Sequence, residues 1–354
     1  MSKFFLVFLP VFAAFQGYLF AQERSDKTAV TYEEIYDEPY AVNKLFIGIQ
    51  PLYGELFATN VNAGFGMEAR YYFQDKADFH AHYRKSYSRK FFDFTRDLAM
   101  DNSQFDNRAQ VYNYFEIGGT YHISDFEESS KTKMVLYKKS YKGNRWASRV
   151  PLNTEIPAKV RKIYGLRAGA ILWSSSTDLT RAMTHQGLTN QDLKDEEGNG
   201  LPNTWINGNR EQPLNVYSNI ASKNVYLGGS MAWMRNVAIN FDNYEEGIDD
   251  LMFTAFVDLI YAPSLTVDDV VYTSTDAGTN VAATRTYDVS PIKLQSFGGR
   301  IGIDGRFNRT FSWAYGAELG YRPSIQGRAF YALVKISFPV FGSNLDYKVE
   351  SFEK

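Results

Sequence analysis

Residues 311–322 read FSWAYGAELGYR, and apolar and polar side chains alternate strictly along this segment. One set, from Phe311 to Tyr321, is apolar and places aromatic rings near both ends, whereas the other set is small or charged and includes Glu318 and Arg322. Successive side chains of a β-strand point to opposite faces, so the segment predicts a strand with one apolar and one polar face. Aromatic rings near both ends of the apolar face are typical of a strand that crosses a lipid bilayer in a β-barrel.

The same period of two recurs along the chain. The further spans are 44–53, 65–71, 111–123, 134–137, 164–172, 225–239, 251–261, 294–307 and 330–338. The clearer spans have about ten residues, which matches a tilted bilayer crossing better than the usual strand of five or six residues. A soluble β-sandwich or periplasmic jelly roll also alternates and is the alternative. Aromatic strand ends, together with Arg, Glu and Asp beside glycine on the polar faces, favour the barrel.

The expected number of strands depends on residues 74–108. With ten strands this segment would be a long periplasmic connection, although such barrels keep short turns on that side. If residues 80–92 and a second piece form another hairpin, the count becomes twelve. We therefore predict an all-β fold, an antiparallel transmembrane β-barrel of about 10–14 strands over residues 42–341, with twelve favoured over ten. The long segments 174–222 and 263–291 are expected to be loops at the outer end.

The first 21 residues have the pattern of a signal peptide. Lys3 supplies a positive charge, Phe4–Phe15 is almost continuously apolar, and the small residue Ala21 precedes a charged stretch. A transmembrane anchor is the alternative, but the run is short, Pro10 interrupts it, and no basic cluster follows it. We expect cleavage after Ala21 and export of the mature chain.

Two polar segments flank the predicted barrel. Residues 22–41 are polar and acidic and are predicted to form a periplasmic N-terminal arm, and residues 342–354 form a charged C-terminal tail.

The cysteine content and the net charge exclude several classes of site and partner. The chain has no cysteine, which excludes disulfides, thiolate metal sites and a lipid anchor on cysteine. Its net charge of −2 gives no field that would attract nucleic acid, so no nucleic-acid partner is expected.

Two parts of the chain resemble outer-membrane β-barrel proteins of the Bacteroidota type. They are the short leader that ends Phe20-Ala21-Gln22 and the C-terminal run GGRIGIDGRF…FSWAYGAELGYRP…GRAFYALVKISFPVF. The resemblance implies a place in the bacterial outer membrane, in contact with membrane lipid and lipopolysaccharide. It also implies one of two functions, a porin or an accessory subunit of an outer-membrane assembly or secretion machine.

Charged residues at the polar positions of the strands are expected to line the lumen. They are Glu68, Arg70, Glu116, Arg167, Asp258, Arg300, Asp304, Glu318, Arg322 and Lys335. They could form a network of ion pairs that fills the lumen or the polar lining of a selective channel. Eight strands are just filled by side chains and sixteen leave an open pore, so ten to twelve strands favour a filled lumen.

The opposite positions are expected to face lipid. They are Phe297, Ile301, Trp313, Tyr315, Leu319, Tyr321, Phe330, Val334, Ile336 and Phe338. This assignment depends on the register, because a slip of one residue would exchange the two faces.

Three motifs contain residue types that can bind a metal ion or support catalysis. His80 and His82 are spaced i, i+2 and share one face of a strand, but no third metal ligand follows, so a solvated basic segment is favoured. Binding of this segment to phosphate groups of lipid or of a partner is the second option. The acidic residues of 192–200 do not have the spacing of a calcium loop. Ser124 is expected to share a strand face with His122, but no Gly-x-Ser-x-Gly motif is present. We therefore predict no catalytic residues, no cofactor and no metal.

The sequence thus favours a non-enzymatic barrel that acts as a structural or accessory subunit of an outer-membrane protein complex. Its expected partners are other outer-membrane or periplasmic proteins. A narrow porin-like channel for small polar solutes is the alternative, and a lipid-modifying enzyme is the third interpretation.

Overall fold

The computed structural model describes residues 32–42, 44–57, 60–73, 75–87, 105–138, 152–207, 210–275, 282–308 and 313–342. The N-terminal half of these ranges contains strands β1 (Tyr32–Asp37), β2 (Leu45–Phe57), β3 (Asn60–Phe73), β4 (Ala77–Ser86), β5 (Asn113–Leu136) and β6 (Leu152–Asp178). Helix α1 (Leu179–Gln186) and a 3-10 turn (Asn190–Asp192) follow, and then strands β7 (Thr204–Asn207), β8 (Arg210–Pro213), β9 (Tyr217–Met234), β10 (Val237–Phe241) and β11 (Gly247–Asp249). The last strands are β12 (Leu251–Val267), β13 (Val270–Thr275), β14 (Ala282–Tyr287), β15 (Leu294–Gln295), β16 (Phe297–Phe307), β17 (Ala314–Tyr321), β18 (Ser324–Ile325) and β19 (Phe330–Gly342).

Ten of these strands close into a barrel, which confirms the all-β, antiparallel barrel prediction. Their order around the wall is β12-β16-β17-β19-β2-β3-β4-β5-β6-β9. Every neighbouring pair is antiparallel, including β19 with β2 and β12 with β9, which close the ring. Closure leaves no free edge in the wall, so each strand has hydrogen-bonding partners on both sides.

The favoured count of twelve strands is wrong, because the described residues form a barrel of ten. The predicted span 134–137 is not a separate strand, because all of it except Tyr137 belongs to the 24-residue strand β5. The segment that contains His80 forms β4, which pairs with β3 and β5. A tight turn at Asp75, where φ is 56°, joins β3 directly to β4. Residues 74–108 therefore contain a barrel strand and are not one long connection.

The two ends of the barrel differ. At one end, here called the loop end, the long connections 179–216 and 268–296 follow β6 and β12. At the other, the terminal end, β2 begins and β19 ends, and the hairpin connections of β3 with β4 and of β16 with β17 lie there. The predicted outer loops thus share the end that lies opposite the start of β2 and the end of β19.

Strands β5 and β6 continue beyond the wall at the terminal end. They remain paired as far as Leu136 and Leu152, whereas the pairing of β9 with β6 stops at Arg161. We call residues 126–136 and 152–160 the hairpin extension. It packs against the small sheet β1-β10-β11, and the two share an apolar core of Met134, Leu136, Ile156, Ala158, Val237, Ile239 and Phe241. Strand β1 brings part of the predicted N-terminal arm into this sheet.

Among the described residues, no helix is both long and apolar enough to cross a membrane. The predicted leader, residues 1–21, and the tail beyond residue 342 lie outside the described ranges.

Candidate functional site: the filled lumen

The predicted lumen residues point into the barrel. Those that are buried are Glu68, Glu116, Arg167, Asp258, Arg300, Glu318, Arg322 and Lys335, and the side chains of Arg70 and Asp304 are partly buried. The residues predicted to face lipid lie on the outer surface. Those that are exposed are Phe297, Ile301, Trp313, Leu319, Tyr321, Phe330, Val334, Ile336 and Phe338, and Tyr315 is half-buried. The strand period therefore separates charged side chains inside from apolar ones outside.

Arg300 is the centre of a middle layer of charges. Its guanidinium donates to the carboxylates of Glu116 at 2.6 Å and Asp258 at 2.9 Å, and lies 3.4 Å from Glu318. The guanidinium of Arg167, on strand β6, lies 3.1 Å from the same carboxylate of Asp258. Because each charge has an opposite partner at hydrogen-bonding distance, the layer avoids the large penalty of an unpaired buried charge.

Tyr226 fills the space beside this layer. Its ring lies 4.7 Å from the guanidinium carbon of Arg300, and its hydroxyl is 2.9 Å from His80 Nε2. Glycines make this position possible, since a Cβ atom on Gly118 or Gly169 would lie 1.9 or 2.5 Å from the Tyr226 hydroxyl. The glycines on the inward faces of β5 and β6 are therefore required for packing a large ring inside a narrow barrel.

A second layer lies towards the loop end. Arg322 donates to Glu55 at 2.7 Å and to the Tyr112 hydroxyl at 2.9 Å. Arg84 is equally buried, with 1% of its surface exposed, but none of its three guanidinium nitrogens has a hydrogen-bond partner among the described residues. It stacks on Tyr114 at 4.1 Å, which is a favourable cation–π contact.

A third layer lies towards the terminal end. Its ion pairs are Arg70–Asp78 at 3.1 Å, Arg306–Glu68 and Lys335–Asp304 at 2.9 Å. Two histidines join it: His122 Nε2 lies 3.2 Å from Asp78, and His82 lies 3.8 Å from Glu68. The third layer therefore repeats the principle of the middle one, with each of these basic side chains matched to a carboxylate.

The three layers together are balanced in charge, and little empty space lies between the middle and third layers. Their basic side chains are Arg70, Arg84, Arg167, Arg300, Arg306, Arg322 and Lys335, and their acidic side chains are Glu55, Glu68, Asp78, Glu116, Asp258, Asp304 and Glu318. The space between the middle and third layers is about 20 Å³. That volume is close to the minimum that one water molecule needs, so the lumen is a packed interior.

Sequence reasoning missed several members of these layers: Glu55, Asp78, Arg84 and Arg306. Asp78 and Arg84 were hidden because β4 was not recognised, although they share the period of two with His80 and His82. Glu55 was hidden because the register of β2 shifts between Gln50 and Tyr53. The period in β4 could have been found from the sequence, whereas the shift in β2 could not.

Apolar contacts cover the terminal end of the lumen. Residues 38–42 and 44, here called the strap, lie between β1, which pairs with β10, and the start of β2 on the opposite side of the ring. The Asn236 side chain donates to the carbonyls of Glu38 and Ala41 at 3.2 and 2.7 Å. Val42 of the strap packs on a buried group formed by Phe46, Tyr72, Ile163, Ala232, Met234 and Met252. The strap and this group therefore close the terminal end.

A larger apolar cluster covers the loop end. Helix α1 and the loop after it contribute buried side chains that pack with residues from the barrel wall. From the loop these are Leu179, Ala182, Met183, Leu193, Leu201, Leu214 and Val216, and from the wall they include Tyr53, Phe57, Trp173, Ile260 and Leu333. The Asp178 side chain caps α1 by accepting from the Arg181 amide at 3.2 Å. The loop thus folds over the barrel mouth as a cap.

The acidic loop 192–200 has a different role from cation binding. Arg285 donates to Asp195 at 2.5 Å and to Glu197 at 2.7 Å, so a guanidinium occupies the place where a cation would lie. Burial opposes ionisation of Asp195, but hydrogen bonds from Arg285 and Asn199 and the charge of Arg285 outweigh it and lower the pKa of this carboxyl to about 2. The contact ties the cap to the hairpin β13–β14.

The two histidine motifs also differ from expectation. His80 and His82 do share an inward face, but they lie inside the wall, so the favoured solvated segment is wrong. In the ranges given above, no cluster of three or more His, Cys, Asp or Glu side chains could hold a metal ion. The expectation that Ser124 shares the face of His122 is wrong, because the register shifts between them and Ser124 is exposed.

No protein-family model matches this chain, and no curated protein matches it either.

Proposed function

We propose that this protein is a non-enzymatic β-barrel of the bacterial outer membrane that acts as a structural or accessory subunit of a protein complex, in assembly or secretion. One observation carries the proposal: the lumen is closed at successive levels. Three layers of charged side chains, balanced in charge as a whole, fill the middle, and apolar groups cover both ends. A solute would have to break buried ion pairs and open an apolar cap in order to pass.

The outer surface supports the membrane location. The exposed apolar positions recur on every wall strand and include Ile49, Met67, Phe79, Ile117, Leu166, Leu227, Leu259, Ile301, Leu319 and Val334. A soluble monomer rarely exposes a continuous apolar patch of more than a few hundred Å². A belt around the whole barrel matches the surface that hydrocarbon would cover.

Because the chain lacks cysteine, single cysteines test this location in a clean background. We expect Phe297→Cys and Val334→Cys to react with a lipid-soluble maleimide in membranes and to resist a charged, water-soluble one. Arg300→Cys, which faces the lumen, is the inward control and should resist both reagents. Reaction of the outward positions with the charged reagent would contradict the proposed location.

The terminal end supports a role as a subunit. The hairpin extension continues for 11 residues beyond the wall on β5, counted from 126 to 136, which is roughly 35 Å of strand. Its surface carries exposed charges on Lys131, Lys133 and Glu155. Outer-membrane barrels keep their long loops outside, so the terminal end, which lies opposite the long connections, faces the periplasm, where a soluble partner could contact this surface.

A conductance measurement distinguishes the proposed subunit from the alternative function, a narrow channel for small polar solutes. The purified barrel in a planar lipid bilayer should give no steady conductance, whereas an open porin in the same apparatus gives discrete steps. Discrete steps from the monodisperse barrel would overturn the proposal and favour the channel.

Co-purification tests the partner directly. After extraction in mild detergent, the full-length barrel should come out with other envelope proteins. Replacing 129–156 with a short turn should abolish this association, and shortening the β13–β14 hairpin at the opposite end is the matched control. Equal recovery of partners with both variants would exclude the hairpin extension as their contact.

A further inference from the structure

A cleft lies on the outside of the wall at the loop end, apart from the lumen. It has a volume of about 670 Å³, within the range of sites that bind small ligands. Outward residues at the ends of three adjacent strands form its floor: Lys85 is paired with Asn113, and Asn113 with Ser174. The segment 105–112 lies over this floor and brings Arg108 and Gln110 to the cleft.

The lining of the cleft is polar and positively charged. Lys85 and Arg108 are exposed, and neither takes part in an ion pair with another residue in the described part of the chain. The acidic group in the lining, Asp268, accepts a hydrogen bond from the Asn219 amide at 3.1 Å. The side-chain amides of Gln110 and Asn113, together with these two cations, match a ligand that carries hydroxyl groups and phosphate.

An apolar groove continues from this cleft down the outer wall. Asn113 and Ser174 line both, and the groove then passes Phe115 and Leu172, which are paired across β5 and β6. Lys223, paired with Leu172 on the next strand, adds a third exposed cation at the edge of the groove. The polar part thus lies at the strand ends and the apolar part lies next to it on the lipid side.

We propose that the cleft and groove bind a phosphorylated glycolipid of the outer leaflet. The sugar and its phosphate occupy the cleft between Lys85 and Arg108, and an acyl chain lies along Phe115 and Leu172. The site has three cationic side chains and one carboxylate, that of Asp268. Its net charge is therefore positive and complements a phosphate. This inference rests on the proposed membrane location and is independent of whether the lumen conducts.

Binding is tested on the intact barrel in detergent, with a bisphosphorylated disaccharide lipid as the probe. The variant Lys85→Gln/Arg108→Gln/Lys223→Gln should bind the probe about tenfold or more weakly, because charge-assisted contacts to the phosphate are lost. The control Lys131→Gln/Lys133→Gln/Lys159→Gln removes three exposed cations at the opposite end and should bind as the unchanged protein does.

Two further ligands sharpen the result. The dephosphorylated disaccharide lipid should bind weakly to all variants, and phosphatidylglycerol should bind more weakly than the probe, because it lacks the sugars that the amides contact. Equal binding of the probe to both triple variants would overturn the site. Equal binding of phosphatidylglycerol would overturn the assignment to a glycolipid. Conductance of the barrel would affect neither result, so the proposed closed lumen and the proposed glycolipid site can fail separately.

Discussion

The sharpest test of the lumen compares two arginines that share a layer. Arg322 and Arg84 are both 1% exposed, and both stack on the ring of Tyr114, at 5.0 and 4.1 Å. They differ in hydrogen bonding: Arg322 is paired with Glu55 at 2.7 Å, whereas Arg84 has no hydrogen-bond partner among the described residues. If pairing rather than packing stabilises the lumen, their replacement should have very different effects.

We expect Arg322→Met to lower the free energy of unfolding by about 3–5 kcal/mol, because Glu55 then stays buried as an uncompensated charge. Arg84→Met should change it by no more than about 1 kcal/mol. The variant loses the cation–π contact with Tyr114 and the attraction to more distant carboxylates. This loss is offset, because three buried guanidinium nitrogens that have no acceptor are removed as well. The double variant Arg322→Met/Glu55→Gln should recover much of the loss, since residue 55 no longer carries an uncompensated charge.

The assay is urea-induced unfolding of the barrel in lipid vesicles, followed by tryptophan fluorescence, with the gel shift of unheated samples as a second measurement. An equal loss of stability in Arg84→Met and Arg322→Met would refute the role assigned to pairing. Failure of the double variant to recover stability would refute the explanation by an uncompensated carboxylate.

Three further predictions concern other parts of the molecule. The pKa of Asp195 is lowered relative to the unfolded chain, so its contact with Arg285 should stabilise the cap above about pH 4. This contribution should be lost as the pH falls towards 2, seen as faster pepsin cleavage of the cap; unchanged cleavage over that range would contradict it. Gly118→Ala should displace Tyr226 and cost about 1–3 kcal/mol in the same unfolding assay, and a neutral effect would mean that the wall can move aside. Asn236→Ala should cost about 1–2 kcal/mol and speed hydrogen exchange in the strap, which loses two hydrogen bonds; unchanged exchange would show that other contacts hold the strap.

The sequence by itself determined which face of each recognised strand is apolar. In β16 and β17, and in β19 as far as Phe338, the alternation continues, so the inward position of Arg300 and the outward position of Phe297 followed from the period of two. This part was predictable because side-chain direction in a regular strand is a local property of the backbone. The ten inward charges could be named for the same reason.

Only the tertiary structure decided the strand count, the register shifts and the pairing of charges. β4 carries His80, His82 and Arg84 inward, so its pattern looks like a solvated basic segment until β3 and β5 flank it. A register shift turns Ser124 outward. The strap connects β1, which pairs with β10, to the far side of the ring. These features depend on contacts between residues far apart in the chain. Such contacts are fixed when the ring closes, and no local period encodes them.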